Sequence, residues 1–293
     1  MQHLHDHDQG LAHDIQRINA QRAQRRRALG WLAAVTGVGT LTLVACGGGG
    51  GDSTVASSSS GGSSSSGGST SSGSTSSSCS VIPEETNGPY PADGSNTANG
   101  SIANALTLSG ILRSDIRSSF GGSTTTAGGV PLTVKLTLQN ANGACADLSG
   151  YAIYIWHCDR EGRYSMYSSG VTAENYLRGV QVTGSDGTAT FTTVFPGCYS
   201  GRMPHIHIEV YASAATATSY TKALKTTQLA FPTDACNTVY NTASGYSASI
   251  ANFARISFAT DGVFSDGVTL EMSTVSGDVT NGYAAALTMA IAA

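Results

Sequence analysis

The chain predicts an all-β fold, a β-sandwich of mixed short strands joined by long loops. Three observations carry that prediction. After Cys79 apolar and polar residues alternate at period two in several short runs. Gly, Ser, Asn and Asp turn residues punctuate those runs, and helical periodicity is weak throughout. Many short strands separated by Gly-rich turns close their apolar faces as a sandwich or barrel.

The elements follow in order. Leu132, Val134, Leu136 and Leu138 alternate with Thr133, Lys135 and Thr137, the pattern of a half-buried strand. Tyr151 to Cys158 is a continuous apolar run, which fits a strand covered on both faces. Ser185-Asp186-Gly187 forms a turn, and Ala189, Phe191, Thr193 and Phe195 alternate behind it. His205 to Tyr211 is the next strand. Ala223 to Phe231, Val268 to Val275 and Ala285 to Ala292 are read as further strands. The last segment, Ala284 to Ala293, also fits a short helix on propensity alone.

The front of the chain is not domain-like. Residues 1–46 read as an export signal, with Arg25-Arg26-Arg27 before an apolar run from Ala28 to Ala45. That run is near the length of a membrane span. Leu43-Val44-Ala45-Cys46 resembles the lipobox of bacterial lipoproteins, in which the Cys is acylated after cleavage. Multiple acyl chains make a stable anchor. Arg25-Arg26 also resembles a twin-arginine signal. Residues 47–78 are almost entirely Gly, Ser and Thr, a flexible tether with a mean span of about 30 Å. The expected product is exported and lipid-anchored at a bacterial cell-envelope membrane, on the periplasmic side or the cell surface. Its folded domain occupies residues 79–293.

Net charge is −4 at pH 7. From Cys79 onward there are 10 Lys and Arg against 15 Asp and Glu, a balance that argues against nucleic acid, whose phosphates need clustered cations. With Cys46 lipidated, five cysteines remain, so at least one stays outside any intrachain pairing. No Cys-x-x-Cys is present, which argues against a zinc knuckle or a thioredoxin-like site.

Chemistry concentrates in Phe195 to Tyr211, FPGCYSGRMPHIHIEVY. On a strand His205 and His207 share one face about 7 Å apart, within reach of one metal ion. Ile206, Ile208 and Val210 face the other way. Glu209 lies about 13 Å from His205 along the strand, too far to share that ion with His207 between them. The only other histidine after Cys79 is His157, read as a core or supporting group. Tyrosine is the remaining ligand type. A phenol gives up its proton only beside a strongly acidic cation such as ferric iron.

These blocks resemble the intradiol ring-cleavage dioxygenases, of the protocatechuate 3,4-dioxygenase type. Pro83-Glu84-Glu85-Thr86-Asn87-Gly88-Pro89-Tyr90 looks like the family's Gly-Pro-aromatic loop. Arg113-Ser114-Asp115-Ile116 follows. Ile155-Trp156-His157-Cys158-Asp159 then runs into Gly162-Arg163-Tyr164-Ser165. Arg178-Gly179-Val180-Gln181, Thr227 to Pro232 and Ala259 to Gly267 complete the order. The Tyr-x-x-Arg-x-x-His-x-His spacing is its specific part.

The resemblance implies a non-haem Fe(III) cofactor held by Tyr164, Tyr199, His205 and His207. It implies Arg202 as the active-site cation and Tyr199 as a ligand that takes a substrate proton. Tyr90 and Gln228 would border the substrate, with Tyr167 a rival to Tyr164. The implied reaction takes a catechol-type diol and O2 to a muconate-type dicarboxylate. Protocatechuate-type enzymes combine unlike subunits, so homo- and hetero-oligomers both fit. Cys198 stands where relatives commonly have Pro or Trp, and is read as a small buried hydrophobe. Two other readings use the same residues: a non-catalytic sandwich lipoprotein, and another oxygenase built on the His pair.

Overall fold

The computed structural model describes residues 79–293. The expected export signal, the expected lipidation residue Cys46 and the expected tether lie outside the described residues.

Among the described residues, eleven strands form a two-stranded ribbon and two larger sheets. The ribbon pairs β1 (Asp93–Ala98) with β2 (Ser101–Asn104). In the first large sheet, β3 (Pro131–Asn140) lies parallel to β11 (Gly282–Ile291) on one side. On its other side it meets β7 (Thr188–Val194) and the short β4 (Ala146–Asp147), both antiparallel. The hairpin partner of β11 is β10 (Thr274–Asp278). The second large sheet runs β6 (Arg178–Val182), β5 (Ala152–Trp156), β8 (His205–Tyr211), β9 (Lys225–Ala230), all antiparallel.

The period-two pattern decides what lies between the sheets. Leu132, Val134, Leu136 and Leu138 of β3 are buried while their neighbours Thr133 and Lys135 are exposed. They form one apolar cluster with Phe191 and Leu287, and with Ile153, Ile155, Ile206, Ile208 and Leu229 of the second sheet. A second apolar cluster covers the outer face of that sheet. There Tyr154, Trp156, Val180 and Tyr211 pack under Ala92, Leu106, Tyr164 and Tyr167 from loops. Both faces of β5 and β8 are therefore covered, and every residue of both strands is buried.

The structure departs from the sequence reading in two places, and at the C-terminus it decides between strand and helix in favour of the strand. Residues 268–273 are a turn, closed by Glu271 and Met272 amides donating to the Val268 carbonyl, so strand begins only at Thr274. Two helices, α1 (Thr233–Thr242) and α2 (Ser247–Phe253), lie between β9 and β10. In α1 the buried residues are Cys236, Val239 and Tyr240, one stripe at helical spacing behind Pro232. The C-terminal segment is the strand β11 because nine in-register pairs with β3 absorb its backbone groups. Cys79 and Cys145 form a disulfide, and Cys158, Cys198 and Cys236 are buried free thiols. Cys198 is thus the small buried side chain the sequence suggested.

Candidate active site

The site sits at one end of the outer face of the second sheet. Strand β8 places His205 and His207 on that face, two residues apart. Across the ladder His207 is flanked by Trp156 on β5 and Gln228 on β9. The Trp156 ring lies flat on His207, with centroids 4.8 Å apart and 2° between planes. Tyr154 also stacks on Trp156, with centroids 4.9 Å apart.

Two loops deliver the phenols. Tyr164 comes from the segment after β5, and Tyr199 from the segment between β7 and β8. Gly162 has a φ of +83°, and a Cβ there would meet the Tyr199 Cβ at 3.1 Å. Glycine is what lets these two loops close on each other. The chain crosses His207 at Gly88 in the same way, with φ +68° and 3.1 Å to its ring.

These side chains converge on His205 Nε2. It lies 3.5 Å from the Tyr164 hydroxyl, 3.4 Å from the Tyr199 hydroxyl and 3.1 Å from His207 Nε2. His205 Nδ1 donates to the Met203 carbonyl at 2.6 Å, so its Nε2 offers only a lone pair to the cluster. Burial, reinforced by the Arg202 charge, holds both imidazoles well below their ordinary pKa, hence neutral. Burial, with Tyr199 alongside, pushes the Tyr164 phenol well up. Two neutral imidazoles and two phenols around a point fit a hard, acidic cation that draws off phenolic protons. Among the described residues no group of three or more His, Cys, Asp or Glu is placed to hold a metal, so a metal here needs the phenols.

Tyr164 is almost fully buried, whereas Tyr199 is only partly buried. Tyr90 packs on Tyr164 with ring centroids 4.9 Å apart and borders the cluster. Tyr167 is turned elsewhere. Its hydroxyl accepts from the Ala92 amide and donates to Asn96, which removes it as the rival of Tyr164. Glu209 accepts from the Tyr211 hydroxyl further along the strand, away from the His pair. His157 bridges the Cys158 carbonyl and the Thr193 hydroxyl inside the core.

Arg202 is buried and its Nε reaches both oxygens of Asp261 at 3.1 Å. Its Nη2 donates to Gln228 Oε1 at 2.6 Å, and Gln228 Nε2 donates to the Thr86 carbonyl. Gln228 is thereby engaged at both ends of its amide. Sequence reasoning singled out neither Asp261 nor Trp156 for a role. Both stood inside quoted motif blocks, but nothing in the spacing ties Asp261 to an Arg 59 positions away.

A dioxygenase family model matches residues 116–255, the stretch holding Tyr164, Tyr199, Arg202, His205, His207 and Gln228. Among solved structures, the chain is similar to an intradiol ring-cleavage dioxygenase from Tetranychus urticae. Identity is 24%, the TM-score is 0.55, and 73% of this chain and 95% of that one are covered. A second dioxygenase crystal structure is 25% identical with a TM-score of 0.53, covering 73% and 94%. No curated protein matches the chain by sequence search. The family-model match marks the chain as a dioxygenase, and its sandwich is the fold of the intradiol ring-cleavage enzymes it resembles.

Proposed function

We propose that this dioxygenase uses Fe(III), held by Tyr164, Tyr199, His205 and His207, to cleave a catechol-type diol with O2. The product is a muconate-type dicarboxylate. The observation that carries this reading is the meeting of two phenols and two neutral imidazoles within 3.5 Å of His205 Nε2. When bound, ferric iron supplies the Lewis acidity that ionises phenols and prepares an electron-rich ring for O2.

The protein groups divide the remaining work. The Met203 carbonyl fixes the His205 tautomer, and Trp156 fixes the plane of His207. Tyr164, locked by burial, is the static phenolate. Tyr199, less buried and carried on a loop, is the group whose oxygen takes a proton from a substrate hydroxyl. Arg202 places a fixed positive charge at the site, where negative charge develops on the ring. Tyr90 supplies an aromatic wall for a flat substrate. Gln228 holds Arg202 against the Thr86 segment.

The sequence supports three further parts of this reading. The chain is exported, anchored through lipid on Cys46, and held off the membrane by the tether of residues 47–78.

Purified protein tests the function. Iron content, a visible tyrosinate charge-transfer band and oxygen uptake with a panel of catechols are measured together. One O2 consumed per diol, with a dicarboxylate product, is the expected result. A colourless protein that gains no band with ferric iron would sink the proposal. An iron-loaded protein that consumes no oxygen with any catechol would leave only a binding module.

A further inference from the structure

Asp261 is fully buried in the segment between α2 and β10. Its carboxylate accepts from Arg202 Nε on both oxygens at 3.1 Å. It also accepts from three backbone amides: Met203 at 2.6 Å, Val263 at 2.8 Å and Phe264 at 3.2 Å. Every one of these partners is a donor. A carboxylate, which only accepts, satisfies them all, whereas an amide side chain would turn its own N–H groups toward some of them.

The guanidinium held this way is fixed on several sides. Gln228 accepts from Nη2, and the Phe264 ring lies 5.5 Å from the guanidinium carbon. Met203 carries the connection one step further. Its N–H is bound by Asp261, and its carbonyl accepts from His205 Nδ1 at 2.6 Å. One buried carboxylate therefore touches both the active-site cation and the residue that orients a proposed iron ligand.

We infer that Asp261 is a positioning residue of the reaction: it aims the Arg202 guanidinium and, through Met203, sets the orientation of His205. This rests on the catechol-cleaving reading above. A buried guanidinium deprived of its carboxylate keeps a charge without its partner and regains side-chain freedom. Because the effect on turnover runs through Arg202, it disappears when Arg202 is absent. The effect on the metal runs through Met203 and persists.

The test uses the full iron-loaded protein as wild type, Asp261→Asn, Asp261→Glu, Arg202→Ala and the double variant Arg202→Ala/Asp261→Asn. Turnover and KM are measured with catechol by oxygen uptake. The rate of iron loss to a chelator is measured separately. Asp261→Asn should lower kcat by about tenfold or more and change KM by less than about threefold. The double variant should be no slower than Arg202→Ala, since groups acting as one unit are non-additive. Iron loss should accelerate several-fold in both variants carrying Asp261→Asn but not in Arg202→Ala. Asp261→Glu keeps the charge and should recover iron retention while kcat stays below wild type.

Equal losses of kcat from Asp261→Asn in the presence and absence of Arg202 overturn the inference, as does unchanged iron release. Should Asp261→Asn fail to fold, an Asp261→Glu protein with wild-type kcat overturns it. A wild-type protein that turns over no catechol defeats the functional reading instead, and the iron-release comparison still decides the link from Asp261 to His205.

Discussion

Acid should destabilise this protein through His157, and the size of the effect follows from how that ring is held. The Cys158 carbonyl only accepts, so His157 Nδ1 carries the proton and donates to it at 2.8 Å. Nε2, 2.7 Å from the Thr193 hydroxyl, is then the acceptor. Burial lowers the imidazole pKa from 6.5 to about 4, with the Cys158 carbonyl and Asp159 opposing only in part. The unfolded chain takes up this proton near pH 6.5, and the native chain waits until near pH 4. Stability from neutral His157 is therefore whole above pH 6.5 and is lost as pH falls through that window. At 1.36 kcal/mol per pH unit, the loss over the window is about 3 kcal/mol.

The proposed ligands His205 and His207 are depressed in the same direction, so the wild-type curve alone does not isolate His157. The informative comparison is His157→Gln, which does not titrate. Urea midpoints are read by tryptophan fluorescence at pH 7 and pH 4.5 with the disulfide intact. With urea slopes of about 1–3 kcal/mol per molar, the wild-type midpoint should fall at least about 1 M further than that of the variant. His157→Gln should be less stable than wild type at pH 7 and visibly less sensitive to acid. Parallel pH profiles for the two proteins would refute the reasoning.

The remaining predictions concern the site, the disulfide and a buried acid. Tyr164→Phe should weaken iron binding by about tenfold or more and diminish the charge-transfer band, checked by metal analysis and visible absorbance. Tyr199→Phe should retain iron while kcat falls by about 10²–10⁴, because the lost group is the proposed proton acceptor; an unchanged kcat would remove that role. Removing the Cys79–Cys145 link frees a sequence separation of 66 residues and should cost about 4 kcal/mol, seen as a lower midpoint for Cys145→Ser. Glu271 is fully buried, its Oε2 has no hydrogen-bond partner, and burial with Glu85 nearby raises its pKa to about 8. Its ionised form is favoured in the unfolded chain from pH 4.5 upward, so stability falls as pH rises from there to about 8. Glu271→Gln should raise stability at pH 7 by roughly 2–3 kcal/mol and flatten that fall; equal stability there would count against a buried neutral acid.

How much of this was legible in the sequence depends on whether a signal was local. The alternation in Leu132 to Leu138 and in Ala189 to Thr193 marked strands β3 and β7, because a two-residue period is a property of the chain itself. The unbroken apolar run of β5 foretold burial on both faces. Helix α1 carried a readable signal, Pro232 followed by Cys236, Val239 and Tyr240, that the surrounding turn residues masked. The turn at 268–273 was not legible. Val268 and Met272 pack against a core cluster and meet β9 only through the single Met272–Ala230 bridge, and only their surroundings tell those outcomes apart.

The same division runs through the site. By itself the sequence determined that His205 and His207 share a face, since strand geometry requires it. It also placed Tyr199 and Arg202 beside them within nine residues, close enough for one loop to carry both. The motif resemblance favoured Tyr164 over Tyr167, but the direction each phenol takes belonged to the tertiary structure, because three residues in a loop do not specify it. The Tyr164 hydroxyl lies 3.5 Å from His205 Nε2, while the Ala92 amide and Asn96 hold the Tyr167 hydroxyl away. The tertiary structure alone also paired Arg202 with Asp261. A buried guanidinium needs acceptors wherever the fold brings them, here the Asp261 carboxylate, and that proximity in space leaves no trace in the spacing along the chain.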